Sequence, residues 1–186
     1  MNTAAGAHGG AEARLFGDAL SCELELPLDL VASDGRGRQA QAEILLVSLA
    51  RLEDLRKDEG EDHGDPLPAQ RIDAKLDLIL ALLGHLVHRS NAMPVRRVRW
   101  SRHGLRVDLD HDLALAIGDA LVLKLQPADW LPDHLELPAV VLEQARLPGG
   151  LRLWLGFSDL RVGLSEAIDR HLFRVHRRQI AEQRRV

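Results

Sequence analysis

The sequence predicts an α+β protein: a small antiparallel β-barrel, interrupted by long inserted helices and followed by a C-terminal helix. Three observations favour this class. From residue 95 to about 156 the chain consists of short alternating segments separated by turn residues, the pattern of antiparallel strands. Residues 69–89 instead repeat leucine and isoleucine at spacings of four and three, the period of a helix. The last segment, from Ser165, has acidic residues early and arginines late, as the helix dipole favours.

Composition is that of a globular protein of ordinary size. The 186 residues are enough for one domain, with 46% hydrophobic and 28% charged residues. Three Phe, three Trp and no Tyr leave a core built mainly of Leu, Val and Ala, which favours packing of helices. The formal net charge of −4 argues against nucleic acid or anionic lipid as a partner.

Several features predict a cytoplasmic location. The first twelve residues contain neither the basic nor the apolar region of a signal peptide. The longest apolar run, residues 76–87, is interrupted by Asp77, Gly84 and His85 and is too short for a bilayer. The single cysteine, Cys22, is consistent with a reducing compartment. We therefore expect no membrane insertion.

The N-terminal part is predicted to consist of a tail and a first strand. Residues 1–15 begin with small and polar residues and are expected to be a disordered tail. Residues 19–30 alternate polar and apolar side chains and predict a half-buried strand, with Pro27 at its end or on an exposed edge. Residues 16–186 then form a single domain, in which residues 39–90 are an inserted helical oligomerisation arm.

The inserted arm is predicted to contain two helices. The first runs from Gln39 to about Lys57, and an acidic loop over residues 58–68 separates it from a second helix over residues 69–89. The second helix has the a/d rhythm of a coiled-coil seam, widened by further leucines, which is typical of a bundle or a higher homo-oligomer. Packing of this helix on its own domain is the alternative. The predicted oligomerisation seam consists of Ile72, Leu76, Ile79, Leu83 and Leu86.

Five strand-like segments follow the turn at residues 90–94. Turn signals at residues 118–119 and 148–150 separate some of them, and with the first strand they make six, enough for a small closed barrel. The final helix, over residues 165–185, is predicted to begin with Ser165 as its N-cap. Its apolar stripe, expected to cover the barrel, is Ile168, Leu172 and Val175.

The sharpest short motif joins the first two of these five strands and reads Arg99-Trp100-Ser101-Arg102-His103-Gly104. By itself it predicts a tight turn, in which Gly104 can adopt a positive φ and Ser101 can bond to nearby backbone. Together with the strand order around it, the motif resembles the PilZ family, whose barrels carry D/N-x-S-x-x-G at this junction. Ser101 and Gly104 match that pattern, whereas Arg99 replaces the leading Asp or Asn.

The whole layout resembles a subgroup of atypical PilZ proteins, in which heptad helices are inserted after the first strand and assemble the protein as a tetramer. The matching stretches are SCELELPL from Ser21, RIDAKLDLILALLGHL from Arg71 and FRVHRRQIAEQRR from Phe173. The resemblance implies a PilZ-like barrel and a homotetrameric protein of bacterial signalling, which recognises a protein partner and breaks no bond.

The resemblance also implies a candidate ligand, cyclic-di-GMP, which PilZ domains grip with an R-x-x-x-R element ahead of the first strand. In this chain only Arg14 precedes the strand, and Asp18 follows it four residues later with the wrong charge for a dianion. We therefore expect weak cyclic-di-GMP binding or none, and no cofactor. A receptor with a rewired site is the alternative, and its ligand-binding residues would be Arg14, Arg99, Ser101 and Arg102, with Gly104 in the loop.

Catalysis is not predicted. The nine histidines are scattered, and the chain has no H-E-x-x-H, no Gly-rich phosphate loop and no nucleophile elbow. His111, between Asp110 and Asp112, is interpreted as part of a solvated turn, since adjacent strand residues point to opposite faces. The arginines after Phe173 are interpreted as a solvated helix end and not as a nucleic-acid site.

Overall fold

The computed structural model describes residues 9–33, 35–58, 76, 93–128, 131 and 133–184. In this part of the chain, six antiparallel strands form one closed barrel in the order β1-β2-β3-β6-β5-β4. The predicted α+β class and barrel are therefore confirmed. The helices are α1 (Gly9–Phe16), α2 (Gln39–Asp58) and α3 (Val162–Gln183), and the strands are β1 (Ser21–Ala32), β2 (Val95–Ser101), β3 (Gly104–Leu109), β4 (Ala120–Leu125), β5 (Leu135–Leu147) and β6 (Gly150–Phe157).

Strand β1 closes the barrel because it pairs with a different neighbour along each half. Residues 21–27 pair with β2, and residues 28–32 pair with β4. Pro27 lies where the partner changes, so the expectation that it ends the strand or lies on an edge is wrong. Proline has no N–H to donate, so it fits at this change of partner. The backbone groups around it remain bonded: the Pro27 carbonyl accepts from the Gln126 amide at 3.0 Å, and the Leu28 amide donates to the Pro94 carbonyl at 3.0 Å.

The barrel interior is almost entirely aliphatic, as the composition predicts. Alternate residues of every strand point inward, so each strand contributes two or more fully buried side chains. Leucine dominates, and Trp100 is the largest fully buried side chain. The buried centre of the barrel includes Leu28, Val98, Trp100, Leu105, Val107, Leu123, Leu137, Leu153 and Leu155.

Helices α2 and α3 pack together and against the barrel. The buried face of α3 is the predicted stripe extended by Leu164, Ala167 and His171. Leu164 and Ala167 join the same core as the barrel leucines. Glu53 of α2 lies 3.0 Å from Arg178 and 3.4 Å from Arg174 of α3, so two of the C-terminal arginines are engaged in holding the helix pair. None of the described helices is long and apolar enough to cross a bilayer.

Two predicted boundaries are wrong. Residues 9–15 of the expected disordered tail belong to α1, because Ala11, Leu15 and Phe16 bury their side chains in a second apolar cluster with Trp154. Helix α3 begins three residues before Ser165, at Val162, with Arg161 as an N-cap that makes no side-chain capping bond.

The inserted arm is described only in part. The first predicted helix is confirmed as α2. Of the predicted seam, Leu76 lies in helical backbone with 51% of its surface exposed, whereas Ile72, Ile79, Leu83 and Leu86 lie outside the described residues.

His171 of α3 is a buried titratable group. Its ring is 1% exposed, lies 5.6 Å from the Trp100 ring, and neither of its nitrogens has a hydrogen-bond partner among the described residues. Burial lowers the pKa of His171 to about 4, and the positive charges of Arg174 and Arg178 act in the same direction.

This depressed pKa predicts acid sensitivity. The unfolded chain takes up a proton below about pH 6.5 and the folded chain only near pH 4, so stability falls as pH decreases through that window. Between pH 7 and pH 5 the loss from this residue should be about 2 kcal/mol. We expect urea unfolding to show that, between pH 7 and pH 5, the free energy of unfolding falls by about 2 kcal/mol less in His171→Leu than in wild type.

A matched variant, His176→Leu on the same helix, tests whether removal of any histidine has this effect. Equal pH dependence in wild type and His171→Leu would contradict the interpretation of the buried imidazole.

Candidate functional site

The PilZ-like motif forms the two-residue hairpin between β2 and β3, where Ser101 and Gly104 are register partners. Ser101 is fully buried, and its hydroxyl donates to the carbonyl oxygen of Leu15 in α1 at 2.6 Å. The same oxygen accepts a bond from the His103 amide at 3.2 Å. Ser101 therefore shapes the turn and also ties α1 to it.

Gly104 is required by close packing on two sides. A Cβ atom at this position would collide with the backbone carbonyl of Leu155 on β6 and would come within 2.8 Å of Cδ2 of Leu15. The motif glycine thus allows β3, β6 and the end of α1 to approach one another.

Next to the hairpin, one row of outward-facing side chains crosses the barrel. Register pairs Glu23 with Arg99, Arg99 with Arg106, and Arg106 with Trp154, so these four residues lie side by side on β1, β2, β3 and β6. Two arginines directly opposite each other repel unless an acid neutralises them. The row therefore needs a negative charge above it.

Glu12 of α1 supplies that charge. Its Oε1 accepts bonds from Nη1 of Arg99 at 2.8 Å and Nη1 of Arg106 at 2.9 Å, and its Oε2 accepts from Nε1 of Trp154 at 2.5 Å. Arg106 also donates to Glu23 at 2.9 Å. The Glu12 carboxylate is thus held by three donors in a half-buried position.

The Arg99 side chain contacts three groups of the same chain. Besides Glu12, its Nε donates to the Ser21 hydroxyl at 3.1 Å, and its guanidinium lies 4.5 Å from the centre of the Phe16 ring. An aspartate or asparagine at this position could not make the contacts to Glu12 and Phe16, so the substitution in the motif and the position of α1 belong together.

A second ion pair lies two residues further along β3 and β6. Arg152 of β6 binds both carboxylate oxygens of Asp108 on β3 at 2.6 and 2.7 Å. These bonds hold the pKa of Asp108 below its ordinary value, against the opposing effect of burial. This part of the barrel surface is therefore internally neutralised.

The structure brings together only some of the predicted site residues. Arg99, Ser101 and Gly104 all contact α1 or the residues that α1 covers. Arg102 is exposed and its hydrogen bond goes to the adjacent His103 at 3.2 Å, and Arg14 points into solvent without an ion pair to any described residue. Among the described residues, no group of three or more His, Cys, Asp or Glu side chains could hold a metal ion.

Sequence reasoning missed Glu12, Arg106 and Trp154. A two-residue hairpin between Ser101 and Gly104 places Arg99 opposite Arg106, so the second arginine could have been found from register. Glu12 had no comparable signal, because it lies in a segment without a long periodic pattern.

A closed six-stranded antiparallel barrel with an S-x-x-G hairpin is the fold that the PilZ resemblance implies, and helix α2 follows β1 as in the atypical layout. A family model described as "Atypical PilZ domain, cyclic di-GMP receptor" matches residues 46–185. The chain belongs to this atypical PilZ family, and the resemblance seen in the sequence is confirmed. No curated protein sequence matches the chain.

One solved structure is similar to this chain along nearly the whole length of both proteins. It is a pathogenic protein from Xanthomonas campestris, described as a tetrameric PilZ domain self-assembled via an unusual helical bundle. It is 48% identical, with a TM-score of 0.78 over 92% of this chain and 95% of its own. Weaker matches are the PilZ domain of Escherichia coli YcgR with c-di-GMP (16% identity, 52% and 82% covered, TM-score 0.42) and the Bacillus subtilis motility inhibitor MotI/DgrA (14%, 88% and 51%, 0.45).

The packing at Gly104 predicts a large effect of a single methyl group. Gly104→Ala should lower the free energy of unfolding by roughly 2–3 kcal/mol more than Gly118→Ala, measured by urea denaturation. Gly118 is the matched control, because it has φ +95° but open space around its would-be Cβ. Equal losses in the two variants would show that backbone conformation, and not the approach of β6 and α1, makes the motif glycine necessary.

Proposed function

We propose that this protein is a non-catalytic adaptor in cyclic-di-GMP signalling of a bacterial cytoplasm, which oligomerises through its inserted helices and binds the dinucleotide weakly. The observation that carries this proposal is the contact of Glu12 with Arg99 and Arg106. In this proposal the protein acts by binding a protein partner. It binds no nucleic acid and does not insert into a membrane.

Charge and access both argue for weak dinucleotide binding at the motif. The two guanidinium groups that could grip phosphate are engaged by a carboxylate of the same chain. A phosphodiester approaching this face would have to displace Glu12 and expose the apolar contacts of Leu15 and Phe16. Removing a charge-assisted hydrogen bond typically costs about 1.5–3 kcal/mol, so displacement opposes binding.

Oligomerisation is supported by the sequence and by the similar Xanthomonas protein. Five apolar residues at spacings of four and three form the predicted seam, and the similar structure is described as a tetramer formed by a helical bundle. Leu76, in helical backbone, exposes half of its surface in the single chain. Burial of that exposed half between helices should contribute roughly half of the ~1.5–3 kcal/mol typical for full burial of a leucine.

The alternative is a cyclic-di-GMP receptor with a rewired site. The description of its family as a receptor favours this function, as do the arginines near the hairpin. In that case Arg14 and Arg102, which the folded chain leaves exposed, would join Arg99 and Ser101 around the dinucleotide.

Calorimetric titration with cyclic-di-GMP tests the occupied face directly. Wild type should bind only weakly, whereas Glu12→Gln should bind about tenfold more tightly or better, because it removes the competing charge and keeps the side-chain shape. Asp112→Asn, an exposed residue beyond the end of β3 opposite the hairpin, is the control for a change of net charge and should behave as wild type.

Submicromolar binding by wild type that is lost in Arg102→Ala would favour the rewired receptor instead. Weak binding that is unchanged in Glu12→Gln would show that Glu12 is not what limits affinity.

The oligomer is tested separately by light scattering of the purified chain. The double variant Leu76→Asp with Leu83→Asp should reduce the mass from that of an oligomer to that of one chain, since charged residues cannot be buried in a seam without partners. Asp77→Asn, on the same segment but outside the apolar series, should keep the mass of wild type. A double variant with the mass of the parent would refute the seam.

A further inference from the structure

A second basic feature lies between the two places where the chain leaves the barrel for α2 and for α3. It is a cavity of about 920 Å³, which we call the arginine groove. One wall is the loop and first turn over residues 36–41, and the other is the link over residues 159–161.

Buried Gln39 holds the two walls together. It is 7% exposed, its Nε2 donates to the Asp159 carbonyl at 3.1 Å, and its Oε1 accepts from the Arg161 amide at 2.8 Å. A polar side chain that is buried and satisfied in this way fixes the distance between the walls. The groove is therefore a formed feature of the fold.

The loop wall is also fixed to β5. Gly37 has φ +60°, and a Cβ atom there would come within 2.8 Å of the Glu136 carbonyl oxygen. Arg38 donates to the Glu136 carboxylate at 2.9 Å, which lowers the pKa of Glu136. Arg38 is thus neutralised and serves to position the loop.

The remaining arginines of the groove are available for a ligand. Arg36 and Arg161, one on each wall, are exposed and make no ion pair with any described residue. Among the described residues that line the groove, Asp159 is the one acidic residue. It also makes no ion pair with any described residue. The first turn of α3 is not open to such a ligand, because the carboxylate of Glu43 already lies against Gly163.

We propose that the arginine groove binds the phosphate groups of a small soluble ligand, with Arg36 and Arg161 gripping them from opposite walls. Guanidinium groups match phosphate oxygens in pairs and stay charged at all working pH values. The volume is within the range of small-molecule sites, so a nucleotide-sized phosphate ester would fit. Asp159 beside the arginines can accept hydrogen bonds from amino groups of such a ligand. Because the chain as a whole carries a net negative charge, we expect phosphate affinity to be confined to this groove.

Titration of the full chain with inorganic pyrophosphate and with ATP tests the groove. We expect binding at about millimolar concentration or tighter, weakened about tenfold to a hundredfold in Arg36→Ala and in Arg161→Ala. Arg51→Ala, an exposed arginine on α2, is the matched control and should bind as wild type. Tighter binding of ATP than of pyrophosphate would identify a nucleotide, and equal binding would identify the phosphate groups alone.

The proposal fails if neither probe binds, or if Arg51→Ala weakens binding as much as Arg36→Ala and Arg161→Ala. Both groove arginines are exposed, so thermal unfolding of these variants should match wild type and exclude a folding defect. Arg102→Ala, which removes the exposed hairpin arginine and frees no other charge, should leave pyrophosphate affinity unchanged. A change in that variant would place the phosphate on the hairpin face and overturn the assignment to the groove.

Discussion

Closure of the barrel by β1 is the constraint on which the rest of the structure depends. Because β1 pairs with β2 along residues 21–27 and with β4 along residues 28–32, every strand has a partner on both sides. Closure fixes the register, and register decides which residues face inward. Leucines and Trp100 then form the interior, while Glu23, Arg99, Arg106 and Trp154 become one row on the outer face.

That row explains why the N-terminal helix is part of the domain. Adjacent guanidinium groups need an acid, and Glu12 supplies it while Leu15 and Phe16 bury apolar surface beside it. An eight-residue helix has little stability alone, so α1 exists because of these contacts. The same contacts cover the face on which the family motif lies, which links the fold of the N-terminus to the proposed loss of ligand affinity.

Helices α2 and α3 share the apolar core of the barrel, and a small number of polar contacts hold the two helices to each other. Glu53 connects α2 to Arg174 and Arg178 of α3, and Gln39 connects the start of α2 to the link before α3. The inserted arm therefore leaves the barrel from a helix held at both its first turn and its fourth turn. The arginine groove lies beside the first turn of this helix.

The sequence by itself determined the fold class, the six strands, helix α2, the motif hairpin and the family, because alternation and helical periodicity report which face of an element is apolar. Only the tertiary structure decided the position of Pro27, the start of α3 at Val162, the burial of His171 and the helical state of residues 9–15. Each of these depends on a partner distant in sequence: a change of strand neighbour, a buried face on the barrel, or a pair of arginines about ninety residues away. Local propensity is too weak to specify such features, since their free energy comes from contacts that exist only once the barrel has closed.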